Sequence, residues 1–197
     1  MTAAMPTPDP AQGHGPATAE ATTVHQVDAQ VFARVFAAEA PRVWRLLRRL
    51  GVRDADLEDV CQEVFLVVYR RWGEFRGESA LGTWICGIAL RKAIAHRRRK
   101  SVRDTMAITE AQEPTVAPEQ QRELEQKDTR QVLQTALGKL DDAQREVLVL
   151  YELEQLPMRE VATMLALPLH TAYSRLYAAR SELSTELKRL TLRGSMP

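Results

Sequence analysis

Several things are scarce in this 197-residue chain. Cysteine occurs only at Cys61 and Cys86, too few for a disulfide framework or a cysteine-based metal set. No run approaches the roughly 18 apolar residues that a membrane-spanning helix needs. The N-terminus has neither the basic flank nor the apolar core of a signal peptide. A reducing, cytoplasmic setting is therefore expected. His96 and His170 have no second ligand at metal-binding spacing, so no metal is expected. No Ser/His/Asp or Cys/His constellation and no glycine-rich phosphate loop is present. The chain thus reads as a non-enzyme with no cofactor and no small-molecule substrate. Residues 1–30 contain no Lys or Arg, and 1–27 are rich in Ala, Pro, Thr and Gly. A segment so poor in large apolar residues cannot offset its ordering entropy and is expected to be a disordered tail.

What is present is a globular composition, 45% hydrophobic and 27% charged, with a net charge of only +1. That small total hides a strong asymmetry. Residues 31–103 carry 16 basic and 8 acidic side chains, whereas 104–126 carry 1 and 6. A basic block followed by an acidic stretch suggests a polyanion-binding module joined to a solvated linker. Charge alone does not separate DNA from RNA or lipid.

Helical periodicity starts near Asp28 and runs to Gly51, with Pro41 a point of kinking or division. A second helix is predicted from about Asp54 to Trp72. A glycine-containing loop, 73–79, leads to a third from about Ala80 to Lys100. After the acidic segment, periodicity resumes near Thr129. No stretch alternates with period two for long. The predicted fold is all-α, two small helical domains on a flexible linker: a tail 1–27, a first domain 28–103, a linker 104–126, a second domain 127–190 and a tail 191–197.

On the second helix, Leu57, Val60, Cys61, Val64, Val67 and Val68 form a core stripe. Asp59, Gln62, Glu63 and Leu66 lie opposite, and an apolar Leu66 among polar neighbours points to a partner rather than water. The third helix has a buried stripe of Leu81, Trp84, Ile85 and Ile88. It ends in Arg91, Lys92, His96, Arg97, Arg98, Arg99 and Lys100. Two or three cations at a helix C-terminus suit its dipole; six basic residues among 91–100 repel one another unless an anion such as phosphate backbone binds them. The helix has too few exposed apolar residues to lie in a membrane interface.

Nearer the C-terminus, Asp141 or Asp142 can cap a helix holding Val147, Leu148 and Tyr151. A short helix, Met158–Leu165, a tight turn at Ala166–Pro168 and a long helix from Leu169 to about Leu190 have helix-turn-helix spacing. Leu169, Ala172, Leu176, Ala179, Leu183 and Leu187 form its predicted inward stripe. His170, Thr171, Ser174, Arg175 and Ala178 face outward, where a recognition helix meets base edges. The same spacing fits an ordinary three-helix core.

The string Asp56-Leu57-Glu58-Asp59-Val60-Cys61-Gln62-Glu63-Val64-Phe65 resembles the polymerase-binding region of extracytoplasmic-function (ECF) sigma factors. Phe75-Arg76-Gly77-Glu78-Ser79, followed by Thr83-Trp84-Ile85 and a basic helix end, is similar to that family's −10-reading region. Gln144-Arg145-Glu146-Val147-Leu148, Glu160-Val161-Ala162 and Thr171-Ala172-Tyr173-Ser174-Arg175-Leu176 resemble its −35-reading region. The chain departs from the family pattern at Ala166, where glycine is common in the turn, and at His170, Tyr173, Ala178, Gly87 and Arg91.

The resemblance implies a factor that binds core RNA polymerase through Asp59, Gln62 and Glu63. It implies that Phe75, Arg76, Ser79, Arg91, Lys92, Arg97, Arg98 and Arg99 engage the −10 element of promoter DNA. His170, Thr171, Tyr173, Ser174 and Arg175 would read the −35 element. The acidic linker would thread polymerase channels, and an anti-sigma factor is implied as a further partner. The rival reading is a helix-turn-helix repressor or activator acting apart from the polymerase.

Overall fold

The computed structural model describes residues 28–106 and 121–194. The predicted tail 1–27, linker residues 107–120 and the last three residues lie outside the described residues. Among the described residues the regular structure is entirely helical, as the sequence predicts.

Helix α1 spans Ala29–Arg49 and is capped by Asp28, whose carboxylate accepts from the Gln30 amide at 2.8 Å. Pro41 does not divide it. Pro41 lies on an exposed part of the helix, while Val43, Leu46 and Leu47 anchor the following turns in the core. At its end Val52 N–H donates to Leu47 O at 3.1 Å and Gly51 N–H to Arg48 O at 3.0 Å. This double closure requires a left-handed residue, and Gly51 supplies it with φ +86°.

Helix α2, Leu57–Arg70, follows a short 3-10 turn over Asp54–Asp56, and a second such turn covers Trp72–Glu74. The predicted single helix from 54 to 72 is thus an α-helix with tighter ends. Helix α3, Leu81–Met106, extends beyond the predicted Lys100. The three pack around Leu46, Leu50, Val64, Val68, Ile85 and Leu90, all close to inaccessible. Cys61 and Cys86 are free thiols in this core, and burial pushes Cys86 up to about 12.

The second module begins with α4, Gln121–Leu137, ahead of the predicted Thr129. Helix α5, Asp142–Leu148, is capped by Asp141, which accepts from the Gln144 amide at 2.7 Å. A π-helical turn over Val149–Leu153 follows, then α6, Met158–Met164, and α7, Leu169–Gly194. Helix α7 therefore runs past Leu190, where a tail was expected. The α6–α7 turn repeats the closure of α1: Leu167 N–H donates to Ala162 O at 2.8 Å, and Ala166 N–H to Thr163 O at 3.2 Å. Here the left-handed residue, φ +52°, is an alanine.

Candidate polymerase and nucleic-acid interfaces

Helix α2 buries Leu57, Val60, Cys61, Val64, Phe65 and Val68 and turns Asp59, Gln62 and Leu66 outward. Val67, predicted for the core stripe, is only half-buried, and Phe65 takes a core place instead. Leu66 is 54% exposed, an apolar side chain amid acidic and amide groups. Glu63 differs from its neighbours. Lys92 Nζ donates to its Oε2 at 2.9 Å, and Arg99 Nη2 lies 3.7 Å from the same oxygen. The Lys92 bond holds the Glu63 carboxyl below the ordinary carboxylate range. A residue of the acidic face and two of the basic helix thus form one ion-pair group, which helical spacing on separate helices could not reveal.

The loop before α3 folds back on it. Phe75 lies 5.4 Å from Trp84, centroid to centroid, with the rings inclined by 45°. With Glu74, Arg76 and Ser79 these rings line an open concavity of about 620 Å³. A space of that size, walled by aromatic faces and edged with polar groups, suits an unstacked base. Gly77 makes the turn, with φ +73°.

The basic end of α3 is less free than its composition suggests. His96 Nε2 and Lys100 Nζ approach Asp56 Oδ2 at 3.2 and 3.5 Å, and Arg53 reaches the same oxygen at 3.0 Å. Arg97 donates to Leu50 O and to Glu146, with Asp142 at 3.3 Å. Burial keeps the Glu146 carboxyl above the ordinary range even beside Arg97. Arg91 and Arg98 are exposed and make no ion pair among the described residues.

In the second module Ala172, Leu176 and Ala179 fix α7 in the core. Leu183 and Leu187 are half-buried. Leu169, placed on the inward stripe by its spacing, is instead 40% exposed, because the first turn of α7 projects beyond the packed part of the module. His170, Tyr173 and Ser174 are exposed, and Thr171 and Arg175 are half-buried beside them. All five occupy the first two turns of α7, as a major-groove reader requires. Arg145, quoted in the sequence only as part of a motif, is a buried structural cation. It donates to Leu137 O at 2.8 Å and Leu140 O at 2.6 Å, closing the end of α4. Glu154 and its partners Arg42 and Arg49 carried no sequence signal at all.

Comparison with known proteins agrees with this geometry. Residues 35–103 match the family model for sigma-70 region 2, and residues 130–183 that for sigma-70 region 4. The chain is 31% identical over 151 residues to the RNA polymerase sigma-H factor of Pseudomonas aeruginosa, covering 71% of this chain and 77% of that protein. It is 31% identical over 153 residues to the ECF RNA polymerase sigma-E factor of Escherichia coli, covering 72% and 79%. The fold resembles the sigma factor RpoE solved in complex with the anti-sigma factor NepR from Bartonella quintana, with TM-score 0.65, 22% identity and coverage of 81% of this chain and 98% of that one. It also resembles a structure described as CnrH in complex with the cytosolic domain of CnrY, with TM-score 0.58, 24% identity and coverage of 82% and 90%. A free-standing helix-turn-helix regulator accounts for the second module alone and leaves the region 2 match unexplained. With both regions present in order on one chain, this protein belongs to the sigma-70 family and is an ECF sigma factor, an alternative sigma that directs transcription initiation.

Proposed function

We propose that the outward face of α2, with Asp59, Gln62 and Leu66 at its centre and Glu63 at its edge, docks on core RNA polymerase. The concavity around Phe75, Arg76 and Ser79 takes an unstacked base of the −10 element, and Arg91, Lys92, Arg97, Arg98 and Arg99 hold the strand backbone. His170, Thr171, Tyr173, Ser174 and Arg175 read the −35 element from the start of α7. In this reading the first module comprises 28–103, the second 127–190, and 104–126 is the linker between them. No bond is made or broken by the sigma factor itself; strand separation is driven by capture of bases and backbone. The protein works in the cytoplasm with the polymerase, and an anti-sigma factor is the further partner that the family resemblance suggests.

The observation that carries this reading is the exposed Leu66 set among Asp59 and Gln62, on the side of α2 away from the core. The experiment is the triple variant Asp59→Ala/Gln62→Ala/Glu63→Ala. Alanine is a good helix former, and exposed polar truncations change stability little. Circular dichroism melting should stay within about 1 kcal/mol of the parent, since the losses are the half-exposed Glu63 ion pair and a long, exposed hydrogen bond from Gln62 to Glu58. Affinity for core polymerase should fall by about one to two orders of magnitude, through lost charge-assisted contacts. Binding of −35 DNA should not change. A variant that melts normally and binds polymerase like the parent refutes the docking face.

A further inference from the structure

The two modules are not independent bodies in this structure. Glu154, at the end of the π-helical turn, has a side chain only 4% exposed and reaches across to α1. Arg42 Nε donates to its Oε2 at 2.8 Å, and Arg49 Nη1 to its Oε1 at 3.3 Å. On the other side, Arg97 of α3 is held by Glu146 and Asp142 of α5. Gln134 Nε2 donates to Arg48 O at 2.7 Å. Two glycines leave room for this contact. A Cβ at Gly51 would meet Arg145 Nη1 of the second module at 2.7 Å, and one at Gly82 would meet Arg42 Nη1 at 2.3 Å.

The contact joins the basic first module to acidic groups of the second, and it occupies Arg97, one of the cations assigned above to the −10 strand. Its geometry also conflicts with promoter binding. A packed body of about 150 residues is roughly 40 Å across. Elements centred at −10 and −35 are about 25 base pairs apart, or on the order of 85 Å along B-DNA at about 3.4 Å per base pair. The contacting modules cannot reach both.

We propose that the free sigma factor is held shut by a two-point charge latch, Glu154 between Arg42 and Arg49 and Arg97 between Glu146 and Asp142, which must open before both promoter elements are engaged. The latch rests on the sigma-factor reading for its purpose, but its existence is a property of the free chain and is tested without polymerase. Charged groups make the closure reversible: a buried carboxylate held by two arginines loses its compensation when they withdraw, and water restores it on opening. Cys86 reports the same event. Its thiol feels the charges of Glu154 and Arg42, and it is 2% exposed behind them, whereas no charge of the second module acts on the Cys61 thiol.

The test is small-angle scattering of the full chain, with site-resolved alkylation of Cys86 and Cys61. The variant Arg42→Gln/Arg49→Gln removes one point of the latch, and Asp142→Asn/Glu146→Gln removes the other. Either should raise the maximum dimension by about a third or more, as two bodies of about 75 residues part. Each should accelerate Cys86 modification about tenfold while leaving Cys61 slow. Parent protein in about 1 M salt should move the same way, through screening. Helix content by circular dichroism identifies a variant that has unfolded; the other pair and the salt series then decide. If no folded variant and no salt concentration changes either dimension or Cys86 rate, the latch is wrong, whatever the chain does with polymerase.

Discussion

The surfaces that the two modules are proposed to offer to DNA are of opposite character. At the basic end of α3 most cations already have carboxylates: Lys92 and Arg99 share Glu63, Lys100 lies beside Asp56, and Arg97 lies between Glu146 and Asp142. At the start of α7, His170, Tyr173 and Ser174 are open to solvent, and Arg175 has no ion pair among the described residues. The contrast teaches that a high density of one charge is tolerated in a folded module by internal neutralisation. A cation count therefore overstates the charge offered to DNA. The first two turns of α7 need no such compensation because Arg175 is their one Lys, Arg, Asp or Glu.

The comparison is broken most strongly by substituting one arginine on each side. Arg175→Ala should weaken binding to the proper −35 element by about 1–3 kcal/mol and to scrambled DNA by less. Arg98→Ala, which removes an exposed cation with no ion pair among the described residues, should weaken all promoters alike. It should lower the salt slope of holoenzyme binding by roughly one unit. Titrating affinity against salt on matched and scrambled DNA checks both. A sequence-independent loss for Arg175→Ala would place it on phosphate rather than base edges.

A second contrast concerns how the modules end their helices. Helix α1 closes with Gly51 and α6 with Ala166, in the same hydrogen-bonded motif and both left-handed. A non-glycine residue in that conformation is strained by about 1–2 kcal/mol. Ala166→Gly should therefore stabilise the protein, by up to about 1 kcal/mol after the extra chain entropy of glycine is subtracted. Gly51→Ala should destabilise it by more than that, since its Cβ would also press on Arg145. Urea melts of the two variants give opposite shifts of midpoint if the shared motif governs both.

The smallest effect concerns Glu63. Lys92 holds its folded pKa below the unfolded value, so its stabilisation is fully present above the unfolded pKa of about 4.3. It is lost as pH falls through the folded pKa. Because the carboxylate is 38% exposed, screening limits the pair to under about 1 kcal/mol. Glu63→Gln should melt slightly below the parent at pH 7 and like it near pH 2. A difference that grows toward acid contradicts the assignment.

Much of this was legible in the sequence because the signals are local. The 3.6-residue spacing of Leu57, Val60, Cys61, Val64 and Val68 gives α2 and its outward face. Asp141 sets the start of α5, and Ala166–Pro168 break the chain before α7. These depend on neighbours three or four residues away, and so do the motifs that reveal the family. Element ends were less legible. Helix α3 continues past its charge run and α4 begins inside the acidic stretch, because no glycine or proline stops either.

What the sequence by itself determined was the all-helical class, the two modules and the faces they offer. Only the tertiary structure decided which charges are free. Glu63 with Lys92 spans 29 residues, Arg97 with Glu146 spans 49 and Arg42 with Glu154 spans 112. Periodicity is blind to such pairs, because an ion pair depends on distance in space and on what shields it from water. Two helices that alternate core and surface residues in the same way can bring either sign of charge together. Their packing settles which one.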